Sequence, residues 1–346
     1  MINIKRCILS TLIAVFSFSV KADNTVNTGE VFGPSGIAQG NFDNYGDTRL
    51  DAAYVLGGWF NNYGNVISSD AFSITGEEGI INHPAGNMVV MGYMDIYQPN
   101  AVFENAGRFS AIDSWYTTYP QPFTYAFKGT IKNTGSFLID KSRPVNACKQ
   151  AQNWPGPKLI ENTGKFEIAQ GTNCDFSKTS SPDNDVINTH FIQNAGELKV
   201  DGYFATQDTR INAGAVSGAG TIEGLYFRLL NKVTLSPGSP IGTLAITSNR
   251  PYLFCGRCSV DIELSGPADS DRLQVNSRFF IRGLRLNVLL RDGYVPQQGD
   301  SFDIISADNG IVIFGTPLSY GNLPELPSGL SWDVHNDGTT ITLSVI

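Results

Sequence analysis

A chain of 346 residues with 41% apolar residues can bury a large core and is too apolar to be disordered. Its formal charge is −8, with Lys, Arg, Asp and Glu together at only 16%, which argues against nucleic acid or an anionic membrane as a partner and leaves calcium, neutral glycans or a surface protein. The 36 glycines, with frequent Asn, Ser and Thr, suit an exported all-β protein rich in turns.

Met1 to about Ala22 reads as a secretory signal peptide. Lys5 and Arg6 form a basic start, Cys7 to Val20 is apolar apart from serines and a threonine, and Val20-Lys21-Ala22 offers a small-residue cleavage site before Asp23. Cys7 sits too early for a lipoprotein site. Loss of Lys5, Arg6 and Lys21 takes the formal charge from −8 to −11. No later segment has 18 consecutive apolar residues, so no transmembrane helix and no membrane insertion is expected. The implied location is secreted or extracellular surface, with the periplasm as the alternative.

Residues 23–60, with the apolar patch Ala53 to Phe60, are expected to supply an N-terminal cap or a first rung. Residues 61–224 carry a repeat. Ile160-Glu161-Asn162-Thr163-Gly164-Lys165-Phe166-Glu167-Ile168 has close copies at Ile192–Val200, Ile131–Ile139 and Phe103–Ala111. Weaker copies centre on Gly64, Gly86 and Gly220. The seven glycines are spaced 22, 21, 28, 29, 32 and 24 residues apart, a period typical of solenoids. After each glycine the side chains alternate polar and apolar, as in Lys165-Phe166-Glu167-Ile168, which is the period of a half-buried strand. The Asn-x-Gly ahead of it reads as a turn, because Gly takes positive φ freely and Asn tolerates it. One short strand cannot bury its own apolar face, so the copies are expected to stack as a right-handed parallel β-helix. Phe109, Phe137, Phe166 and Leu198 would form one interior column, and Ala111, Ile139, Ile168 and Val200 a second. An antiparallel sandwich would share turns between copies but not their register.

Three excursions interrupt the repeat, and function concentrates in such loops. Ser114 to Tyr125 holds five aromatics and two prolines. Trp115, Tyr116, Tyr119 and Tyr125 are the candidate ligand-binding residues, since exposed Trp and Tyr faces suit sugar rings or protein contacts. The competing reading packs them down as a satellite core. Asp140 to Pro157 carries Cys148 and Trp154. Gly171 to Thr189 carries Cys174, Asp175, Asp183 and Asp185. Asp183-Asn184-Asp185 offers oxygens to calcium but lacks a full calcium loop, so a solvated loop is expected there and no metal site or cofactor is assigned.

Four cysteines remain after processing. An even count in an oxidising compartment reads as two disulfides, with Cys148–Cys174 and Cys255–Cys258 favoured among three pairings. A redox Cys255-Gly256-Arg257-Cys258 and a four-cysteine zinc site are the alternatives.

Val216-Ser217-Gly218-Ala219-Gly220-Thr221-Ile222 leads into Leu235-Ser236-Pro237-Gly238-Ser239-Pro240-Ile241-Gly242-Thr243-Leu244. Asp271-Arg272-Leu273-Gln274-Val275, Gly283-Leu284-Arg285-Leu286, Leu330-Ser331-Trp332 and Ile341-Thr342-Leu343 follow. This order, over 216–346, resembles the C-terminal passenger segment of autotransporter-like adhesins and related exported bacterial β-helix proteins. The resemblance implies that 225–346 continue the β-helix, with surface, adhesive or matrix roles, and it carries no catalytic residues. The chain departs from the pattern in having no room for a membrane barrel of about a dozen strands. Release, or retention by a partner, is therefore expected.

Glycoside hydrolysis usually needs two carboxylates on one face. Asp183 with Asp185, or Glu167 with Glu197, would be the pair, although Lys165 and Lys199 make the second an ordinary charge ladder. His83, His190 and His335 share no metal spacing. The expectation is a non-enzymatic, adhesin-like β-helix protein, with a polysaccharide lyase or hydrolase as the alternative. A groove with clustered carboxylates and a basic residue would favour the enzyme, and a flat face of Thr, Asn and Ser would favour adhesion.

Overall fold

A computed structural model describes residues 6–9, 18–74, 76, 78–96, 98, 100–112, 129–140, 148, 157–177, 189–230, 232–315 and 318–346. It is all-β and forms a parallel β-helix whose strands divide into two units, Met1–Phe191 and Ile192–Ile346.

In the first unit each of these rungs has a short strand, a turn of two residues (four, His83 to Gly86, in one rung) and a second strand. Phe60–Asn62, Gly79–Asn82, Val102–Asn105, Thr130–Asn133 and Leu159–Asn162 stack in parallel as one sheet. Asn65–Ile74, Asn87–Val90, Arg108–Ile112, Ser136–Asp140 and Lys165–Ile168 stack as the other. The alternation sets one face inward. Val66, Met88, Phe109, Phe137 and Phe166 are neighbours in register and buried, as are Ala111, Ile139 and Ile168. The Phe137 and Phe166 rings stack at 4.9 Å. A one-residue slip would turn this whole row to solvent, which is why register is shared between copies.

The Asn of the motif does not serve as a left-handed turn residue. Its side chain is buried at the end of the first strand and forms a ladder. Asn27 donates to Asn44 at 2.7 Å, Asn44 to Asn62 at 2.8 Å, Asn62 to Asn82 at 2.8 Å and Asn82 to Asn105 at 2.7 Å. Asn105 donates to Asn133 and Asn133 to Asn162, each at 2.8 Å. The same amide NH2 usually reaches a backbone carbonyl of the next rung, as Asn105 does to Ser136 at 2.9 Å. The repeat glycines also differ from the expectation. Positive φ holds at Gly196 but not at Gly64, Gly86, Gly107, Gly135 or Gly164. Those five are glycine because a Cβ would strike the backbone or the ladder Asn of an earlier rung, as at Gly164 against the Gly135 carbonyl.

The weak copies at Gly64 and Gly86 are full rungs. The stretch expected to hold a cap or first rung carries two more copies, Asn27-Thr28-Gly29 and Asn44-Tyr45-Gly46, with Phe42 in register with Phe60. The residues read as a signal peptide also pair here: Arg6–Leu9 lies on Phe18–Asn27, and Phe18–Asn27 on Glu30–Asn44. They extend the stack, because an open parallel edge accepts extended backbone of many sequences.

In the second unit the copy at Gly196 has one residue more in its turn than the two-residue copies. Gln193, not Asn194, is buried, and it donates to the Ala215 carbonyl at 2.9 Å. From there each turn of the helix has three sides. The first side runs through Glu197–Val200, Gly214–Gly218, Val233–Pro237, Ser259–Gly266 and Arg285–Leu290. Leu198, Val216, Leu235, Val260 and Leu286 are its buried column. The second side is 203–206, 221–224, Thr243–Ser248, Arg272–Val275 and Ser301–Ala307. The third is 208–211, 226–229, Tyr252–Gly256, Arg278–Arg282 and Ile311–Ile313. Thr340–Val345 pairs antiparallel with both Ser301–Ala307 and Trp332–Asn336, and Ile341, Leu343 and Val345 are buried beneath that hairpin. Trp332 donates its Nε1–H to the Pro324 carbonyl at 2.9 Å.

Both favoured disulfides are present, Cys148–Cys174 and Cys255–Cys258, which displaces the four-thiolate zinc reading and fits an oxidising compartment. Among the described residues no helix is long and apolar enough to cross a membrane.

Candidate functional site

Trp115, Tyr116, Tyr119 and Tyr125 lie outside the described residues, as do Trp154, Asp183 and Asp185. Lys165 and Glu167 form an ion pair at 2.6 Å within one strand. In the second unit Lys199 pairs with Asp201 at 2.9 Å, while Glu197 accepts from Ser217 Oγ at 2.6 Å. Among the described residues no cluster of His, Cys, Asp and Glu is arranged to hold a metal ion.

The structure places a groove where, Glu197 and Lys199 apart, no candidate residue was expected. It runs over the outward face of the first side of the second unit and encloses about 520 Å³. Alternation builds it. In Ser259–Gly266 the apolar Val260, Ile262 and Leu264 turn inward, so Asp261 and Glu263 must point out. The strand stacked on it, Arg285–Leu290, sets Asn287 opposite Asp261, and Asn287 Nδ2 donates to Asp261 Oδ1 at 2.6 Å. Arg291, just past that strand, closes an ion pair with Glu263 Oε1. Glu263 Oε2 is buried and has no hydrogen-bond partner. Glu197, Lys199 and Ser217 line the other end of the groove.

Asp271 forms the floor. It is fully buried, accepts the Gly242 N–H at 3.0 Å and the Glu263 N–H at 2.8 Å, and so ties the Ser-Pro-Gly-Ser-Pro-Ile-Gly turn to the strand carrying Glu263. Gly238 has φ +93°, and a Cβ there would strike Asp271 Oδ1, so the turn needs glycine twice over. Burial pushes the Asp271 carboxyl up to about 7, against the two backbone bonds that favour its charge. A raised value means that the folded state holds the proton more tightly than the unfolded chain. The stabilisation is therefore full below the ordinary value of 3.8 and is lost as pH rises through about 7. Urea unfolding of wild type and Asp271→Asn at pH 4, 6 and 8 checks this. The stability advantage of wild type over the variant is expected to shrink steadily with pH, and a constant gap would contradict the assignment.

Chemically, the groove offers hydrogen-bond acceptors and paired charges over a β-sheet floor. Asp261, Glu263, Asp271 and Glu197 are each engaged, with Asn287, Arg291, two backbone N–H groups and Ser217 respectively. Asp261 and Glu263 were legible as an outward pair in Val260-Asp261-Ile262-Glu263-Leu264. Arg291 was not, because only the stacking of turns brings it to Glu263, 28 residues away. No protein-family model matches the chain, and no curated protein matches it.

Proposed function

We propose that this chain is an exported, non-enzymatic surface or matrix β-helix protein with an adhesin-like role, and that it holds a neutral glycan in the groove of the second unit. The observation that carries the reading is Glu263: one oxygen is fixed by Arg291, and the other is a buried acceptor left open on a residue lining a groove of about 520 Å³. An unmet buried acceptor of this kind costs about 1–3 kcal/mol, which a sugar hydroxyl would recover once the Glu263 side chain turns that oxygen to the groove. Two disulfides support an extracytoplasmic location. The flanking Ser217, Ser236 and Asn287 suit hydroxyl recognition.

The polysaccharide-active alternative has one observation in its favour. Asp271, held near 7 beside Glu263, has the protonation behaviour of a general acid. Against it, Asp271 is fully buried with both oxygens already accepting backbone N–H groups.

A glycan array probed with the purified protein, with and without calcium, tests the reading alongside Glu263→Gln and Trp115→Ala. Specific binding lost in Glu263→Gln, with the immobilised glycan intact, is the expected result. Loss only in Trp115→Ala would move the site to the Ser114–Tyr125 segment. Depletion of the glycan would replace adhesion by catalysis.

A further inference from the structure

The third side of the second unit presents a different surface. Its inward positions are mostly apolar, and aromatic residues take several of its outward positions too. Tyr252 is 51% exposed, Phe254 37% and Phe314 40%. Their rings form a continuous outer layer: Tyr252 meets Phe280 at 5.8 Å, Phe280 meets Phe314 at 6.2 Å, and Phe254 meets Phe314 at 6.0 Å. An outward sheet face facing only water would alternate to polar residues here. Exposed aromatic patches of this kind mark binding surfaces.

The same face is cationic, in a protein whose formal charge is −8. Register sets Arg210 opposite Arg228, Tyr252 opposite Arg278, and Gly256 opposite Arg282. Arg250 lies over the Tyr226 ring at 4.1 Å. The one carboxylate among the outward residues of these strands is Asp208, which Arg210 and Arg228 share at 2.8 and 3.4 Å. Arg250, Arg278 and Arg282 are exposed. Between the rungs of Tyr226 and Tyr252 the surface is concave, with a cleft of about 340 Å³ lined by Tyr226, Arg228, Leu230, Arg250, Tyr252 and Phe254.

We infer that this face binds an acidic polysaccharide, laid along the solenoid axis with its sugar rings against the tyrosines and phenylalanines and its carboxylate or sulfate groups on the arginines. Each part of the chemistry is needed. Guanidinium groups grip planar or tetrahedral oxyanions by paired N–H donors. Aromatic faces add a term that a simple anion would not use. Rungs stack about 4.8 Å apart, so the Arg228 and Arg282 levels, two rungs apart, repeat at about 10 Å, close to the length of a disaccharide. A second copy of this chain fits less well, because a self-complementary pairing would bring arginines against arginines. The inference does not depend on the groove around Glu263, which lies on another side and is proposed for a neutral ligand.

The test is titration of the full purified chain with heparin and with polygalacturonate, using dextran as the neutral control, at several salt concentrations. Wild type is expected to bind one or both acidic polymers and not dextran. Arg250→Gln combined with Arg282→Gln should weaken binding by about tenfold and flatten its salt dependence. Tyr252→Ala should weaken binding several-fold and leave the salt slope unchanged, a readout that non-specific charge attraction would not give. Glu263→Gln should bind as wild type does, which separates this surface from the groove. Unchanged affinity in both the arginine and the Tyr252 variants would overturn the inference. So would binding to phosphatidylglycerol vesicles without polysaccharide binding, or concentration-dependent dimerisation abolished by Tyr252→Ala.

Discussion

Asn105→Asp is expected to destabilise the first unit by about 3–5 kcal/mol at neutral pH, and by clearly less at acid pH. Asn105 sits in the middle of the ladder. Its Nδ2 donates to Asn133 Oδ1 at 2.8 Å and to the Ser136 carbonyl at 2.9 Å, while its Oδ1 accepts from Asn82 at 2.7 Å. A carboxylate keeps the shape and the acceptor but turns two donations into oxygen facing oxygen, in a site that water does not reach. Breaking a buried network and leaving an uncompensated charge is among the few single changes that costs this much. The new carboxyl would have a raised folded value. The deficit is therefore largest above that value and shrinks as pH falls through it, when the acid regains one donor. Each rung touches mainly its neighbours, so the damage should stay local. Amide exchange should rise in Val102–Ile112 and Thr130–Asp140 before it rises elsewhere, and a urea midpoint equal to wild type at pH 7 would show that the ladder adds no stability.

That ladder marks the line between what the chain's letters disclose and what they hide. The alternation Lys165-Phe166-Glu167-Ile168 reports a half-buried strand on its own, and shared register between copies makes stacking the economical answer. Phe109, Phe137 and Phe166 fall in one buried column for that reason. The cysteine pairs followed from loop proximity along the chain. The role of Asn did not follow, because Asn-x-Gly spells a turn and a ladder alike. Only the rung below supplies the partner that distinguishes them. The copies at Asn27 and Asn44 escaped notice for a related reason: Gly29, Gly46 and Gly64 are 17 and 18 residues apart, tighter than the 21 to 32 of the copies first recognised. The groove and the arginine face share this property. Glu263 and Arg291, or Tyr252 and Arg278, are a full turn of the solenoid apart, so their chemistry exists only after stacking.

Gly135→Ala should cost about 3 kcal/mol or more, far beyond the helix or strand propensity of a single methyl group, and two other glycines show why. The Gly135 turn is tied to the rung before it by three backbone bonds: Thr134 and Gly135 donate to the Asn105 carbonyl at 2.8 and 3.0 Å, and Ser136 donates to Gly107 at 2.9 Å. A Cβ at 135 would lie 2.6 Å from the carbonyl carbon and oxygen of Ala106 and nearer still to the Gly107 oxygen. Those atoms are backbone held by the same three bonds, so relief requires the rungs to part. Gly171 has φ +77° with nothing within 4 Å of an added Cβ, so Gly171→Ala carries only the left-handed strain of about 1–2 kcal/mol. Gly266 has neither positive φ nor a neighbour within 4 Å, and Gly266→Ala should be neutral or slightly stabilising through the unfolded chain. Thermal and urea midpoints are therefore expected in the order Gly266→Ala, Gly171→Ala, Gly135→Ala, from most to least stable. If Gly135→Ala matched Gly171→Ala, close approach would not be the reason for glycine in the motif. If it fell well below, the spacing of the rungs, set by hydrogen bonds that cannot lengthen by a methyl radius, is what selects glycine at Gly64, Gly86, Gly107, Gly135 and Gly164.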